Sequence, residues 1–210
     1  MLNYLIKISK QSVDLVNSQQ KVEAATREIL IPRSMRKILI EIARQSSIGG
    51  LSAGGLGEIS ARLPGNRFAI NALDIAFNGI TEKNFSVVAL HEDKPITDLA
   101  PARHFNWHRL IYSATPAKFI LLCQPVYAMV MAESMRLPEA KFMLDAPGAV
   151  GGVAVSDGNE SEICALAVEH HAVLIQGYGL LVWSEDDNVN QISAQAEIVN
   201  RWCQISLKGT

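Results

Sequence analysis

Cysteine is scarce in this sequence, and the cysteines show no pairing pattern. The chain of 210 residues contains three of them, Cys123, Cys164 and Cys203, which lie far apart. Such spacing predicts neither a disulfide framework nor a CxxC zinc motif. It is typical of a protein from a reducing compartment, which favours a cytoplasmic location.

A charge excess of one sign and long apolar runs are lacking too. The formal net charge is −2, and no block of Lys or Arg is present, so a nucleic-acid-binding surface is not expected. No segment approaches the roughly 20 apolar residues that span a bilayer. The N-terminus, MLNYLIKISK, lacks the apolar core and cleavage site of a signal peptide. We therefore expect a soluble protein that binds neither nucleic acid nor membrane.

Two short apolar runs predict the central strands of the domain. Residues 119–128, FILLCQPVYA, and residues 172–183, AVLIQGYGLLVW, carry no charge and are bounded by turn or helix signals, as buried strands are. Polar side chains follow where these strands end, at Cys123, Gln124 and Tyr178. Because strand ends are where an α/β domain usually builds its site, these three residues are candidate ligand contacts.

Helical and extended segments alternate along the rest of the chain. Residues 68–77 and 85–90 predict two strands, and residues 101–115 predict a helix. Together the segments predict a three-layer α/β/α domain over residues 34–210, with a mixed, mainly antiparallel sheet, after a helical extension over residues 1–33. Further predicted helices are residues 34–50, 125–135, 161–170 and, after a predicted capping box at 184–187, the C-terminal segment.

Two features between these elements each allow a functional and a structural interpretation. The segment 49–62, GGLSAGGLGEISAR, has five glycines in its first nine residues. It suits either a phosphate-cradling loop or a tight turn between a helix and a strand, and it matches no standard phosphate motif. His104 and His108 are four residues apart and share one helical face. They suit either a metal-ligand pair or a hydrogen-bonded pair within the helix.

Four segments, in this order, resemble the class II aldolase/adducin family: GGLGEISARL, HFNWHRLIYSATP, LLCQPVYA and QGYGLLVWSEDD. The resemblance covers about residues 34–210. It implies the α/β/α fold and a homo-oligomer, commonly a tetramer with its sites between subunits. In the active members of the family it also implies a zinc ion, held by three histidines, that serves to cleave or form sugar phosphates.

The residues at the family's zinc positions differ in this chain. The family's HxHP motif is matched by Leu122-Cys123-Gln124-Pro125, and its third histidine by Tyr178. Leucine has no lone pair, an amide oxygen is a poor zinc ligand, and tyrosine binds a metal only as phenolate. The resemblance therefore implies a degenerate member that lacks the zinc-binding histidines and holds no metal or other cofactor.

The residues of the catalytic base and the phosphate loop differ as well. His104 stands where the family has its catalytic glutamate and becomes the candidate acid/base, with Tyr178 beside it. Glu58 and Asp74 fall in the phosphate-binding motifs, where a carboxylate repels a phosphate dianion, and Arg103 is the nearby residue that favours an anion. The other candidate contacts of the ligand pocket are Asn71, His108, Cys123 and Gln124.

Loss of metal, base and phosphate loop together favours a pseudoenzyme. This hypothesis is a binding, structural or regulatory protein that takes a small polar ligand and forms a homo-oligomer or a mixed oligomer with an active relative. A second hypothesis is an enzyme with metal-independent chemistry, in which His104 is the acid/base. A third is a residual sugar-phosphate aldolase or epimerase-type lyase with a rearranged metal site drawn from His104, His108, Cys123 and Tyr178. Cys123 argues against it, because its side chain alternates to the face opposite Leu122.

The metal content of the purified protein tests these substitutions directly. Protein prepared without added metal and without a metal-carrying tag is expected to hold no stoichiometric zinc by elemental analysis, because the three positions offer no adequate donor set. About one tightly held zinc per chain would contradict this expectation and require a different ligand set.

Overall fold

The computed structural model describes residues 30–52, 54–92 and 94–209, and in these residues seven strands form one sheet. The strands are β1 (Glu58–Leu63), β2 (Arg67–Asn71), β3 (Phe85–Ala89), β4 (Phe119–Cys123), β5 (Val153–Ser156), β6 (Ala172–Ile175) and β7 (Gly179–Ser184). Their order is β3-β2-β1-β4-β7-β6-β5. Every neighbouring pair is antiparallel except β5 and β6, which are parallel.

Helices cover both faces of this sheet. The described helices are α1 (Arg33–Ile48), α2 (Phe105–Ala114), α3 (Val126–Glu133), α4 (Ala146–Val150), α5 (Glu160–Glu169) and α6 (Val189–Lys208), with short 3-10 turns at Phe77–Gly79 and Ala140–Phe142. One apolar core joins the sheet to α1, α3 and α6, and a second joins it to α2 and α5. The predicted three-layer domain with a mixed, mainly antiparallel sheet is confirmed. None of these helices is long and apolar enough to cross a membrane.

Alternate residues of strand β4 pack into the two different cores. Successive side chains of a strand point to opposite faces. Leu121 and Cys123 accordingly pack in the core with α1, α3 and α6, whereas Ile120 and Leu122 pack in the core with α2 and α5. An uninterrupted apolar run is therefore what a strand covered on both faces requires.

Several predicted boundaries need correction. The strand predicted over residues 68–77 ends at Asn71, and a turn follows in which the backbone at Asp74 is left-handed, with a φ of 57°. The helix predicted over residues 101–115 begins only at Phe105, so that His104 occupies the position just before its first turn. This places both the backbone N–H and the imidazole of His104 outside the helical ladder.

The predicted capping box at residues 184–187 is wrong. Ser184 is the last residue of β7, and α6 is capped instead by Asn188, whose side chain accepts a hydrogen bond from the backbone N–H of Asn190. Asparagine at the position before a helix serves the same unpaired N–H groups as serine. Most of the extension predicted over residues 1–33 lies outside the described residues.

A side chain from another helix closes the N-terminus of α3. The residue before α3 is Pro125, which offers no side-chain cap. Asn200 of α6 supplies one: its Oδ1 accepts from the backbone N–H groups of Tyr127 and Ala128, at 3.1 and 3.2 Å. Because the first N–H groups of a helix have no partner within it, this contact binds α3 to α6.

Replacement of Asn200 by Ala should therefore destabilise the domain. The expected loss is about 1 kcal/mol in the free energy of unfolding, the usual effect of removing an N-cap side chain. Gln204→Ala on the same helix is the matched control, since the Gln204 side chain accepts only an exposed hydrogen bond from Arg201. Urea denaturation of both variants measures the difference, and equal midpoints would contradict the capping role.

Candidate functional site

A cavity of about 210 Å³ opens between the glycine-rich loop, the start of α2 and the turn that joins β6 to β7. Six of the predicted ligand contacts line it: Glu58, Asn71, Asp74, Arg103, His104 and Tyr178. A larger, open groove of about 590 Å³ lies along α6, and none of the predicted contacts lines it. The smaller cavity is therefore the candidate site.

A buried carboxylate and an imidazole form the centre of this cavity. Glu58, the first residue of β1, is almost wholly shielded from solvent. It accepts hydrogen bonds from the backbone N–H of His104 and, at 2.8 Å, from His104 Nδ1. His108 lies one turn further along α2, with its Nε2 3.5 Å from Glu58 Oε2. Two N–H groups of His104 thus donate to one carboxylate, and His108 Nε2 approaches it without forming a hydrogen bond.

These contacts hold Glu58 in its charged form. Burial alone would raise its pKa, but the hydrogen bonds and positive charge of His104 and His108 outweigh burial and lower the pKa to about 2. An ionised carboxylate only accepts hydrogen bonds. His104 must therefore carry a proton on Nδ1, and in the neutral ring Nε2 is the nitrogen that can take up a proton.

Two aromatic rings hold the imidazole of His104 in place. Trp107 stacks on it, with ring centroids 4.4 Å apart, and Tyr178 meets it edge-on at 4.9 Å. Tyr178 also meets Trp107 edge-on at 4.9 Å. Such pairs fix the ring orientation as well as contributing packing energy. The hydroxyl-bearing ring of Tyr178, about 40% exposed, forms one wall of the cavity.

The glycine-rich loop and Asn71 are fixed by contacts within the protein. Asn71 accepts from the backbone N–H of Ile59 at 2.7 Å and donates to the carbonyl of Gly57 at 3.1 Å. A Cβ atom at Gly57 would lie 2.6 Å from the ring of Phe77, so only glycine fits there. Both the loop glycine and the buried amide therefore have structural roles at the cavity wall.

The outer rim of the cavity carries a pair of opposite charges. Arg103 Nη2 lies 3.2 Å from Asp74 Oδ1, and both side chains are more than 60% exposed. An exposed pair of this kind contributes little stability. It does, however, place a carboxylate beside the guanidinium of Arg103 at the cavity, which weakens the attraction of Arg103 for an anion.

The remaining predicted contacts lie outside the cavity lining. His108 is completely buried behind Glu58. The Gln124 side chain donates to the carbonyl of Leu56 at 3.0 Å and accepts from Ser52 Oγ at 3.3 Å. The predicted pocket position of Cys123 is corrected: its thiol is buried in the core on the opposite face of the sheet, where burial raises its pKa.

The side chains at the family's zinc positions do not fit a zinc ion. Leu122 packs in the apolar core beneath α2, and Gln124 already bonds to the glycine-rich loop. Tyr178 packs against His104 and Trp107. Over the described ranges, no group of three or more His, Cys, Asp or Glu side chains is arranged to hold a metal.

Sequence reasoning missed three residues next to the site: Ser60, Trp107 and Tyr112. Ser60 lies two residues after Glu58 and so faces the same side of the sheet. Tyr112 lies four residues after His108 on α2 and contacts Ser60, hydroxyl to hydroxyl, at 2.8 Å. The available signals were the spacing i+2 from Glu58 to Ser60 on the strand and i+4 from His108 to Tyr112 on the helix. Only the packing of α2 on the sheet shows that these side chains meet.

The sequence matches the model of a known protein family over most of its length. The family model described as Class II Aldolase and Adducin N-terminal domain matches residues 37–207. No curated protein sequence matches the chain significantly.

Solved structures of similar fold share little sequence with this chain. An L-fuculose 1-phosphate aldolase has a TM-score of 0.73 at 20% identity, covering 86% of this chain and 88% of its own. The L-fuculose-1-phosphate aldolase of Thermus thermophilus has a TM-score of 0.70 at 18% identity, covering 82% and 92%. A sugar-phosphate aldolase of Thermotoga maritima has 0.65 at 18%, covering 83% and 95%. These likenesses establish the fold and leave the reaction open.

Replacement of Glu58 by Gln should change how stability depends on pH. The pKa of Glu58 is about 2 against an ordinary 4.5, so its carboxylate stabilises the fold fully above 4.5. That contribution is lost as the pH falls from about 4.5 towards about 2. Urea midpoints across this range should fall steeply for the parent chain and less steeply for E58Q, which should also be less stable at neutral pH. Asp187→Asn, at an exposed pair with Lys118, should keep the parent profile. An unchanged profile in E58Q would contradict the charged state assigned to Glu58.

Proposed function

Since the chain belongs to the family of class II aldolases and adducin N-terminal domains, we propose that it is a catalytically degenerate member that binds a small polar ligand. The proposal rests on what the side chains at the family's three zinc positions contact in the structure. Leu122, Gln124 and Tyr178 are each engaged in other contacts, and none is an adequate zinc ligand. Without the metal, the zinc-dependent cleavage of sugar phosphates has no electrophile.

The charges around the cavity support a ligand without a phosphate group. Glu58 is ionised at its base, and Asp74 stands at its rim beside Arg103. A phosphate dianion would meet two carboxylates and one guanidinium that is already paired. Hydroxyl or amino groups suit these acceptors better, because both donate hydrogen bonds. We therefore propose a neutral or cationic polyhydroxy or amino compound.

A second candidate function is metal-independent acid/base catalysis by His104. The specific observation in its favour is the hydrogen bond from His104 Nδ1 to the buried Glu58 carboxylate. A carboxylate in this position orients the imidazole and stabilises it once it is protonated. Nε2 of His104 then has no partner among the described side chains and can exchange a proton with a ligand in the cavity. Tyr178, on the adjacent wall, would contact the same ligand.

The proposal includes an oligomeric state, with either identical chains or an active relative as the partner. Support comes from the outer face of α3, where Val126 and Val130 lie one turn apart and remain 67% and 48% exposed. Neighbouring exposed apolar side chains on one helix are typical of surfaces that become covered in an assembly. Sedimentation velocity of the pure chain measures self-association, and a strictly monomeric chain that recovers no partner from its source would contradict this part.

Assays with matched sugars test the proposed function. The protein, supplied with zinc, is expected not to cleave L-fuculose 1-phosphate, whereas an active aldolase of the family does so in the same assay. Thermal-shift measurements should show stabilisation by non-phosphorylated sugars or amino sugars, and none by their phosphate esters. Zinc-dependent cleavage at a rate comparable with that of the active aldolase would overturn the proposal.

The same assays separate the second candidate from the first. His104→Gln keeps a polar side chain but cannot exchange a proton near neutral pH. If the protein is only a binder, this variant should change affinity alone. If His104 is the acid/base, turnover of a bound ligand should be lost while binding persists. His171→Gln, against Trp183 and away from the cavity, is the control.

A further inference from the structure

A ladder of polar side chains connects β1 to α2 behind the candidate site. On the strand, Glu58 and Ser60 point to the same face; on the helical side, His104, His108 and Tyr112 follow at intervals of four residues. The His108 Nδ1 atom lies 2.7 Å from Ser60 Oγ, and Ser60 Oγ lies 2.8 Å from the Tyr112 hydroxyl. Ser60, His108 and Tyr112 are all buried. Hydrogen bonds join these three side chains, and His108 Nε2 faces Glu58 Oε2 at 3.5 Å, an electrostatic contact rather than a hydrogen bond.

The positions of the protons along this path follow from the chemistry of each group. Glu58 is ionised, so at 3.5 Å a proton on His108 Nε2 is electrostatically favoured over a lone pair facing the carboxylate. In the neutral imidazole the other nitrogen, Nδ1, is then an acceptor. Ser60 must therefore donate its proton to His108, and its oxygen accepts the proton of Tyr112. Every donor in the path points towards Glu58.

The Tyr112 hydroxyl has one other possible acceptor. The carbonyl of Lys118 lies 3.4 Å away and already accepts from the backbone N–H of Arg62, whereas Ser60 Oγ lies at 2.8 Å. The shorter contact favours donation to Ser60. Burial also raises the pKa of Tyr112 against the opposing effects of its Ser60 hydrogen bond and of Arg62, whose guanidinium lies 4.9 Å above its ring. Tyr112 thus keeps the proton that the path requires.

We propose that Tyr112 and Ser60 are positioning residues that hold His108 in the Nε2–H tautomer, and through it hold Glu58 in the orientation that places the proton of His104 on Nδ1. If His108 carried its proton on Nδ1 instead, its Nε2 lone pair would face Glu58 Oε2 and repel it. The carboxylate would then turn away from His104, and the imidazole would lose its fixed tautomer. This inference rests on the proposed acid/base candidate and extends it to residues that touch no ligand.

Few charged groups compete for this carboxylate. Among the residues that the structure describes, His104 and His108 are the ionisable residues in contact with Glu58. The Asp74–Arg103 pair stands at the cavity rim, and Arg62 faces the far end of the ladder at Tyr112. The pKa of Glu58 should accordingly change when the tautomer of His108 changes.

Side-chain ¹⁵N NMR of the ligand-free full chain tests the proposal. At a pH where the rings are neutral, the parent protein should show His108 as the Nε2–H tautomer and His104 as the Nδ1–H tautomer. In Ser60→Ala, His108 should become a mixture of tautomers and the Nδ1–H signal of His104 should weaken. The Glu58 carboxyl should also titrate at a higher pH than the value of about 2.

Two further variants make the result specific. Ser86→Ala removes another buried hydroxyl, which pairs with Thr97 at 3.0 Å outside the ladder, and should leave both tautomers unchanged. Tyr112→Phe retains the ring and leaves Ser60 able to donate, so its effect should have the same direction and be smaller. This variant carries the test if Ser60→Ala does not fold.

The possible outcomes distinguish the ladder from the proposed function. Unchanged tautomers in both Ser60→Ala and Tyr112→Phe would overturn the ladder and leave the Glu58–His104 pair intact. His108 as the Nδ1–H tautomer in the parent protein would also overturn it. An Nε2–H tautomer at His104 in the parent protein would remove the acid/base candidate as well. Failure of the sugar assays alone would leave the ladder standing.

Discussion

A charge buried between β1 and α2 is the constraint on which the site depends. An isolated carboxylate is costly to bury, and Glu58 is tolerated because the backbone N–H and Nδ1 of His104 donate hydrogen bonds to it. The strand and the helix can supply these contacts because their axial repeats are nearly equal. Two strand residues advance about 6.6 Å and four helical residues about 6 Å, so polar side chains on the two elements remain opposite one another. Arg62 extends the series by donating to the carbonyls at the end of α2.

The same interaction changes the meaning of a lost catalytic glutamate. By its resemblance to the family, the chain carries a histidine, His104, at the position of the catalytic glutamate and a carboxylate, Glu58, in a phosphate-binding motif. Taken one at a time, these substitutions indicate loss of the base and of phosphate binding. In space Glu58 and His104 are hydrogen-bonded at 2.8 Å, so the cavity still contains a carboxylate beside residue 104, now supplied by β1. The geometry of the cavity thus combines two positions that the sequence treats separately.

Much of the fold was predictable because it depends on local patterns. The apolar runs around Leu121 and Leu181 identified strands covered on both faces, and the periodic helices supplied the layers. The errors fell where a single backbone conformation or a distant side chain decides. A left-handed backbone at Asp74 lies in the turn that follows β2, and Asn200 caps a helix more than 60 residues earlier in the chain. Such contacts leave no periodic trace in the sequence.

By itself, the sequence determined the family, the three layers and the absence of histidine at the zinc positions, since these follow from residue types at fixed spacings. Only the tertiary structure decided which polar residues meet. In the structure Cys123 lies in the core on the other face of the sheet, and Asn71 is hydrogen-bonded to the backbone next to the glycine-rich loop. Ser60 and Tyr112 lie behind Glu58 and contact each other. The physical reason is that a hydrogen bond requires its donor and acceptor to be placed to within a few tenths of an ångström, here on elements remote in sequence. Those distances are set by the packing of α2 on the sheet.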